Sequence, residues 1–88
     1  MRKFVKYRNR KMHEEGSLAS YVSMSELGAI VAGGHQVSVV DDSTGEDLTA
    51  ATLARILYDR CRDGYAVRPE LIQKLLVDSK KQRSNRAA

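Results

Sequence analysis

Six cations crowd the first thirteen residues: Arg2, Lys3, Lys6, Arg8, Arg10 and Lys11, with no acid among them. The densest stretch is Lys6-Tyr7-Arg8-Asn9-Arg10-Lys11. Long cations spaced this closely suit one chemistry, the binding of a polyanion through ion pairs and charge-assisted hydrogen bonds. Read as one strand over residues 3–13, the run sends alternate side chains to opposite faces. Val5, Tyr7 and Asn9 then share one face, from which Val5 and Tyr7 dock onto a core. Lys6, Arg8 and Arg10 stand outward, about 6.6 Å apart. Such a row can meet successive phosphates, and an arginine can reach guanine edges in a major groove. Asn9 can read adenine or brace the hairpin. Lys3 and Lys11 extend the charge at either end. The plain alternative is a solvated edge strand whose cations discourage aggregation.

Other groups offer less. The acids Asp41, Asp42, Glu46 and Asp47 cluster, but an EF-hand loop needs Glu at its twelfth position. Counted from Asp41 or Asp42, that position holds Thr52 or Leu53. Turn formation and helix capping account for these acids, and no metal is expected. His13, His35 and the single Cys61 have no ligand-like spacing, and are expected as surface histidines and a packed thiol. No Ser/His/Asp set, phosphate loop or nucleotide fingerprint is present, so neither an enzyme nor a cofactor is expected. Tyr7 and Tyr21 can stack on bases, but packing against each other across strands is the simpler reading. The basic end Lys80, Lys81, Arg83 and Arg86 offers accessory phosphate contacts or mere solubility.

The charge distribution sharpens this. Residues 1–13 carry +6, residues 14–73 carry −6 and residues 74–88 carry +4. Two basic ends flank an acidic body, which suits contact with a polyanion on one side only. A lone cysteine fits a reducing compartment. No apolar core of a signal peptide follows the N-terminal cations, and no run approaches a membrane span. A bacterial-type cytoplasmic protein is the default.

The elements that must hold the cations follow from local signals. Residues 14–17 form a turn, and 19–24 return as the second strand of a hairpin. Ser23 caps a helix with Glu26 three residues on. Leu27, Ile30 and Val31 form its buried stripe, and Gly33-Gly34 ends it. Val37, Val39 and Val40 make a short strand, the turn 42–45 follows, and 46–48 runs extended. Asp47 or Thr49 caps a second helix, burying Leu53, Ile56, Leu57 and Cys61, and Gly64 closes it. Pro69 and Glu70 open a third with the stripe Leu71, Ile72, Leu75 and Leu76. The sum is one small α+β domain over residues 1–78: an N-terminal β-hairpin, a helix, a short strand pair and two C-terminal amphipathic helices. Residues 79–88 read as a basic, disordered tail. A chain of 88 residues buries only about 60–65% of its unfolded surface. The apolar stripes exceed what one small sheet needs. Homodimerisation or higher oligomerisation through Leu53, Ile56, Leu57, Leu71, Ile72, Leu75 and Leu76 is therefore expected.

Two motifs, in order, resemble a known family. Lys6-Tyr7-Arg8-Asn9-Arg10-Lys11, followed after a turn by Ser20-Tyr21-Val22, is similar to a Lys-Tyr-x-Asn-Arg-Arg pattern. Val39-Val40-Asp41 running into Thr44-Gly45-Glu46-Asp47-Leu48-Thr49 is similar to Val-x-Asp and Thr-Gly-Glu-Asp-x-Thr. Leu53-x-x-Ile56-Leu57 and Leu71-Ile72 also fit. These patterns belong to the N-terminal DNA-binding domain of the polyhydroxyalkanoate (polyhydroxybutyrate) synthesis repressor, or accumulation regulator. The resemblance covers residues 4–77. Where the family has Leu-Tyr-Asp after the basic run, this chain has Met12-His13-Glu14.

The resemblance implies a sequence-specific, repressor-like regulator that binds double-stranded DNA at the nucleoid. Lys3, Lys6, Tyr7, Arg8, Asn9, Arg10 and Lys11 would form the contact. Granule or polymer binding, which the family assigns to a C-terminal extension, is not expected of these residues. The readings from other classes are a protein-interaction adaptor and a nonspecific architectural nucleoid protein.

Overall fold

The structure, a computed structural model, describes residues 1–9, 11–17 and 21–81. Six elements follow in order: β1 (Arg2–Lys6), β2 (Met12–Glu14), α1 (Met24–Ala32), β3 (Val37–Asp41), α2 (Thr49–Arg62) and α3 (Pro69–Lys81). The fold is α+β, as expected, with the strands weighted to the N-terminus. The sheet has three strands in the order β2-β1-β3. β1 pairs antiparallel with β2 and parallel with β3. A parallel pair needs a long crossover, and α1 supplies it.

The hairpin differs from the expected one. The chain does not run straight from residue 3 to 13. It reverses inside the cationic run, so that Lys6 faces Met12 and Phe4 faces Glu14. The Tyr7 N–H donates to the Lys11 carbonyl (2.8 Å) and closes the turn. Asn9 is the reason the chain can turn there. Its Oδ1 accepts from the Lys11 N–H at 3.1 Å, a side chain standing in for a backbone turn. The turn at residues 14–17 also forms, with the Ser17 N–H on the Glu14 carbonyl. Of the return strand expected over residues 19–24, which lies partly outside the described residues, a single bridge from Val22 to Met12 is present.

The two sheet faces follow from this register. Arg2, Phe4, Lys6, Met12, Glu14, Val37, Val39 and Asp41 share one face. Lys3, Val5, His13, Ser38 and Val40 share the other. The first face is the covered one: Phe4, Met12, Val37 and Val39 pack with Leu27 of α1 and Ile56 of α2. The expected inward set of Val5, Tyr7 and Asn9 is therefore reversed. Phe4 fills the core, being the one Phe and larger than any valine beside it, and it is fully buried.

The helices start where local chemistry says. Ser23 Oγ accepts from the Glu26 N–H (3.0 Å), and Glu26 Oε1 accepts from the Ser23 N–H (2.9 Å), a complete capping box. Gly34 follows the end of α1 at φ 97° and Gly64 follows α2 at φ 90°, where a side chain would be strained. The second helix is capped by neither expected residue, since Leu48 holds the N-cap position. The Asp47 carboxylate instead accepts from the Thr49 N–H and hydroxyl. The Thr49 Oγ1 in turn accepts from the Val39 N–H at 2.9 Å, tying α2 to β3. The expected strand pair at 37–48 is one strand plus an isolated bridge from Val40 to Asp47. Asp41 folds the intervening turn by accepting from the Ser43 and Thr44 N–H groups.

In α2 the buried residues are Thr52 and Ile56, with Leu53 and Leu57 half-buried. Cys61, expected in the stripe, is exposed. The stripe of α3 stays open: Leu71, Leu75, Leu76 and Val77 are exposed and Ile72 is half-buried. This helix runs on through Lys81, past the expected end at residue 78. The rest of the expected tail lies outside the described residues.

Candidate nucleic-acid interface

The basic run is the apex of the hairpin and not a row along a strand. Arg8 and Asn9 are exposed at the tip and Lys11 is exposed at its base. Arg10 lies outside the described residues. Lys3 is exposed on the sheet face opposite Phe4. Lys6 is half-buried on the helix side, in a recess it shares with Met24, Arg55 and Asp59. The expected outward row of Lys6, Arg8 and Arg10 is thus broken at its first member. Alternation sets Lys6 on Phe4's face, beside the helices.

Tyr7 is half-buried and meets Tyr21 edge-on, with ring centroids 6.3 Å apart and planes at 73°. This is the expected packing of one ring on the other. Tyr21 also receives His13 at 6.2 Å and the Lys11 Nζ at 4.8 Å from its centroid. A cation over a ring face is attracted by the ring's negative quadrupole. Three side chains from the base of the hairpin therefore converge on one ring.

Charge pairing separates the cations further. Arg2, counted with the basic cluster in the sequence, is spent within the fold. Its Nε and Nη2 each donate to a Glu14 carboxylate oxygen at 2.8 Å. That hydrogen bond, with the attraction behind it, holds the Glu14 carboxyl below the usual range and raises the Arg2 guanidinium. No short-range pattern reveals this pair, because its members stand twelve residues apart and meet only through the β1–β2 register. Among the described residues, Lys3, Arg8 and Lys11 are in no ion pair. The acids near the sheet ends are committed to local turns and caps. Hydrogen bonds from Ser43 and Thr44 lower Asp41, those from Thr49 lower Asp47, and those from Ser23 lower Glu26.

The expected oligomer residues divide into two groups. Ile56 belongs to the chain's own core, and Leu53 packs against that core. Leu57 is half-buried, whereas Leu71, Leu75 and Leu76 on α3 are exposed and Ile72 is half-buried. At the basic end, Lys80 is exposed, Lys81 ends α3 and Arg83 lies outside the described residues. No helix among the described residues is long and apolar enough to cross a membrane.

Residues 4–64 match the family described as the PHB/PHA accumulation regulator DNA-binding domain. Comparison with curated proteins and with solved structures gives no match. The matched span takes in most of β1, the basic tip, the rest of the sheet, α1 and α2, and stops at Gly64, before α3. Because it covers well over half of the 88 residues, the chain belongs to the PHB/PHA accumulation regulator DNA-binding domain family.

Proposed function

We propose that this protein is a sequence-specific, repressor-like transcriptional regulator that seats the tip of its basic hairpin in the major groove of duplex DNA. A two-stranded ribbon fits a groove about 12 Å wide. The observation that carries the reading is the exposed tip: Arg8, Asn9 and Lys11 stand in solvent, with no ion pair on either cation. Arg8 and Arg10 reach base edges or phosphates. Lys3 and Lys11 take phosphates, and Lys6 contributes from its recess. Lys80, Lys81 and Arg83 add sequence-independent contacts.

Asn9 is assigned to hold the tip. Reading adenine with two hydrogen bonds needs both an amide oxygen and an amide N–H₂. The Asn9 oxygen accepts from the Lys11 N–H, which ties its amide to the turn. Base reading is assigned to the arginines, whose preferred partner is guanine. The protein works without a cofactor, is not an enzyme, and acts at the nucleoid in the bacterial cytoplasm as a homodimer or higher homo-oligomer.

The test is fluorescence anisotropy with promoter and random duplexes across a salt series. Wild type should prefer one promoter by about 10³ or more. Arg8→Ala/Arg10→Ala should abolish that preference, with the circular-dichroism spectrum and Tm unchanged. Equal, salt-labile binding of wild type to every duplex would instead make it an architectural protein.

A further inference from the structure

We infer that Tyr21 is a positioning residue for DNA recognition, the post against which the basic tip is held. The inference rests on the tip being the DNA contact. Tyr7 and Lys11 close the tip through a backbone hydrogen bond. Among the described residues, a second brace there is the Asn9 Oδ1 accepting from the Lys11 N–H. Two such bonds in an exposed hairpin would leave the tip free to splay. Tyr21 supplies the missing restraint from outside the hairpin. It meets the Tyr7 ring edge-on, lies under the Lys11 ammonium and touches His13 of β2. Its own place is fixed next door, where the Val22 N–H donates to the Met12 carbonyl at 2.8 Å. Met12 is buried in the core, so the post stands on a rigid footing.

The exposure of Tyr21 argues for this role over a packing one. The residue is 51% exposed and lies outside the core cluster. It buries too little to be held there for stability. What it does is hold both closing residues of the loop at once. An arginine reads a guanine only when its guanidinium is presented within tight limits, so holding the loop base acts on specificity. Tyr21 adds no charge, so it leaves the count of phosphate contacts alone.

The experiment compares wild type, Tyr21→Phe, Tyr21→Leu and Tyr21→Ala. Each is measured for Tm, for promoter and random-duplex affinity over a salt series, and for amide order parameters at Arg8, Asn9 and Lys11 without DNA. Tyr21→Phe keeps the ring and should match wild type. Tyr21→Ala should lose about tenfold in promoter affinity, the size of one aromatic pair with an exposed cation–π contact. Its random-duplex affinity and salt slope should be unchanged, and its tip amides should become more mobile. Tyr21→Leu keeps apolar bulk without the ring's charge distribution, so it should fall between the two and serves if the Ala variant unfolds. Wild-type order at the tip amides in the Ala and Leu variants would overturn the inference. So would an equal loss on both duplexes, which would make Tyr21 a direct backbone contact. Failure of the parent reading is seen separately, as wild-type binding untouched by Arg8→Ala, and the DNA-free amide measurement still decides the role of Tyr21.

Discussion

At the residue scale, four carboxylates are committed to the fold: Glu14 to Arg2, Glu26 to the cap of α1, Asp41 to its turn and Asp47 to Thr49. Each has its pKa lowered by the hydrogen bonds it accepts. A carboxyl whose folded pKa lies below its unfolded value adds stability above the unfolded pKa, and loses it as pH falls through the folded one. Tm should therefore be level from pH 7 to about 5 and drop below about 4, where ordinary carboxyls protonate. Glu14→Gln should lower Tm at pH 7 and make the acid limb shallower. A variant whose Tm against pH runs parallel to wild type would show that the pair contributes nothing to folding. The same pair removes Arg2 from the DNA-facing charge, so Arg2→Gln should cost stability and leave the salt slope of DNA binding alone.

At the scale of elements, α1 and α2 approach closely at Gly28. Gly28 is buried in α1, and a Cβ built there would lie 3.1 Å from Ile56 Cγ2 and 3.4 Å from Arg60 Nη2. Alanine gains about 1 kcal/mol of helix propensity over glycine, which offsets the squeeze. Gly28→Ala should be close to neutral, whereas Gly28→Val should cost about 1–3 kcal/mol in chemical denaturation. A tolerated valine would mean that the helices can part freely. Gly28 also shows what the sequence conceals. The start of α1 and the span of α2 are legible because caps, glycines and apolar spacing are local. That Gly28 is a contact, and not a flaw in the helix, depends on Ile56, which is far away in the chain. The hairpin apex failed for a similar reason. Alternation over residues 3–13 fits a long strand as well as two short ones. The decision lies with Phe4, whose partners Val39 and Leu27 come from other elements. The candidate site was legible as a list of cations, and its geometry was not. Whether a given cation stands at the tip, in a recess or in an ion pair depends on the register.

For the whole molecule, α3 is the element that the single chain leaves unexplained. Its stripe is apolar, yet Leu75 and Leu76 are 60% and 64% exposed. Among the described residues it is in none of the main packed pairs of elements: β1 with β2 and β3, α2 with β3, and α1 with α2. A helix of 13 residues is marginal in water without tertiary support. The small core cannot supply that support, because Ile56 and Leu53 are already turned inward to the sheet. A second copy offers an identical stripe and would bring a second basic tip to the same duplex. Joining two tips makes the second contact intramolecular, which can raise affinity about 10²–10⁴-fold when the spacing suits. Leu75→Asp/Leu76→Asp should therefore give a monomer in sedimentation equilibrium. It should lower promoter affinity by about that factor while the sheet and α1 stay folded, since neither residue touches the core. A mutant that sediments like wild type would remove α3 from the interface. A monomer that binds the promoter at wild-type strength would show that one tip suffices.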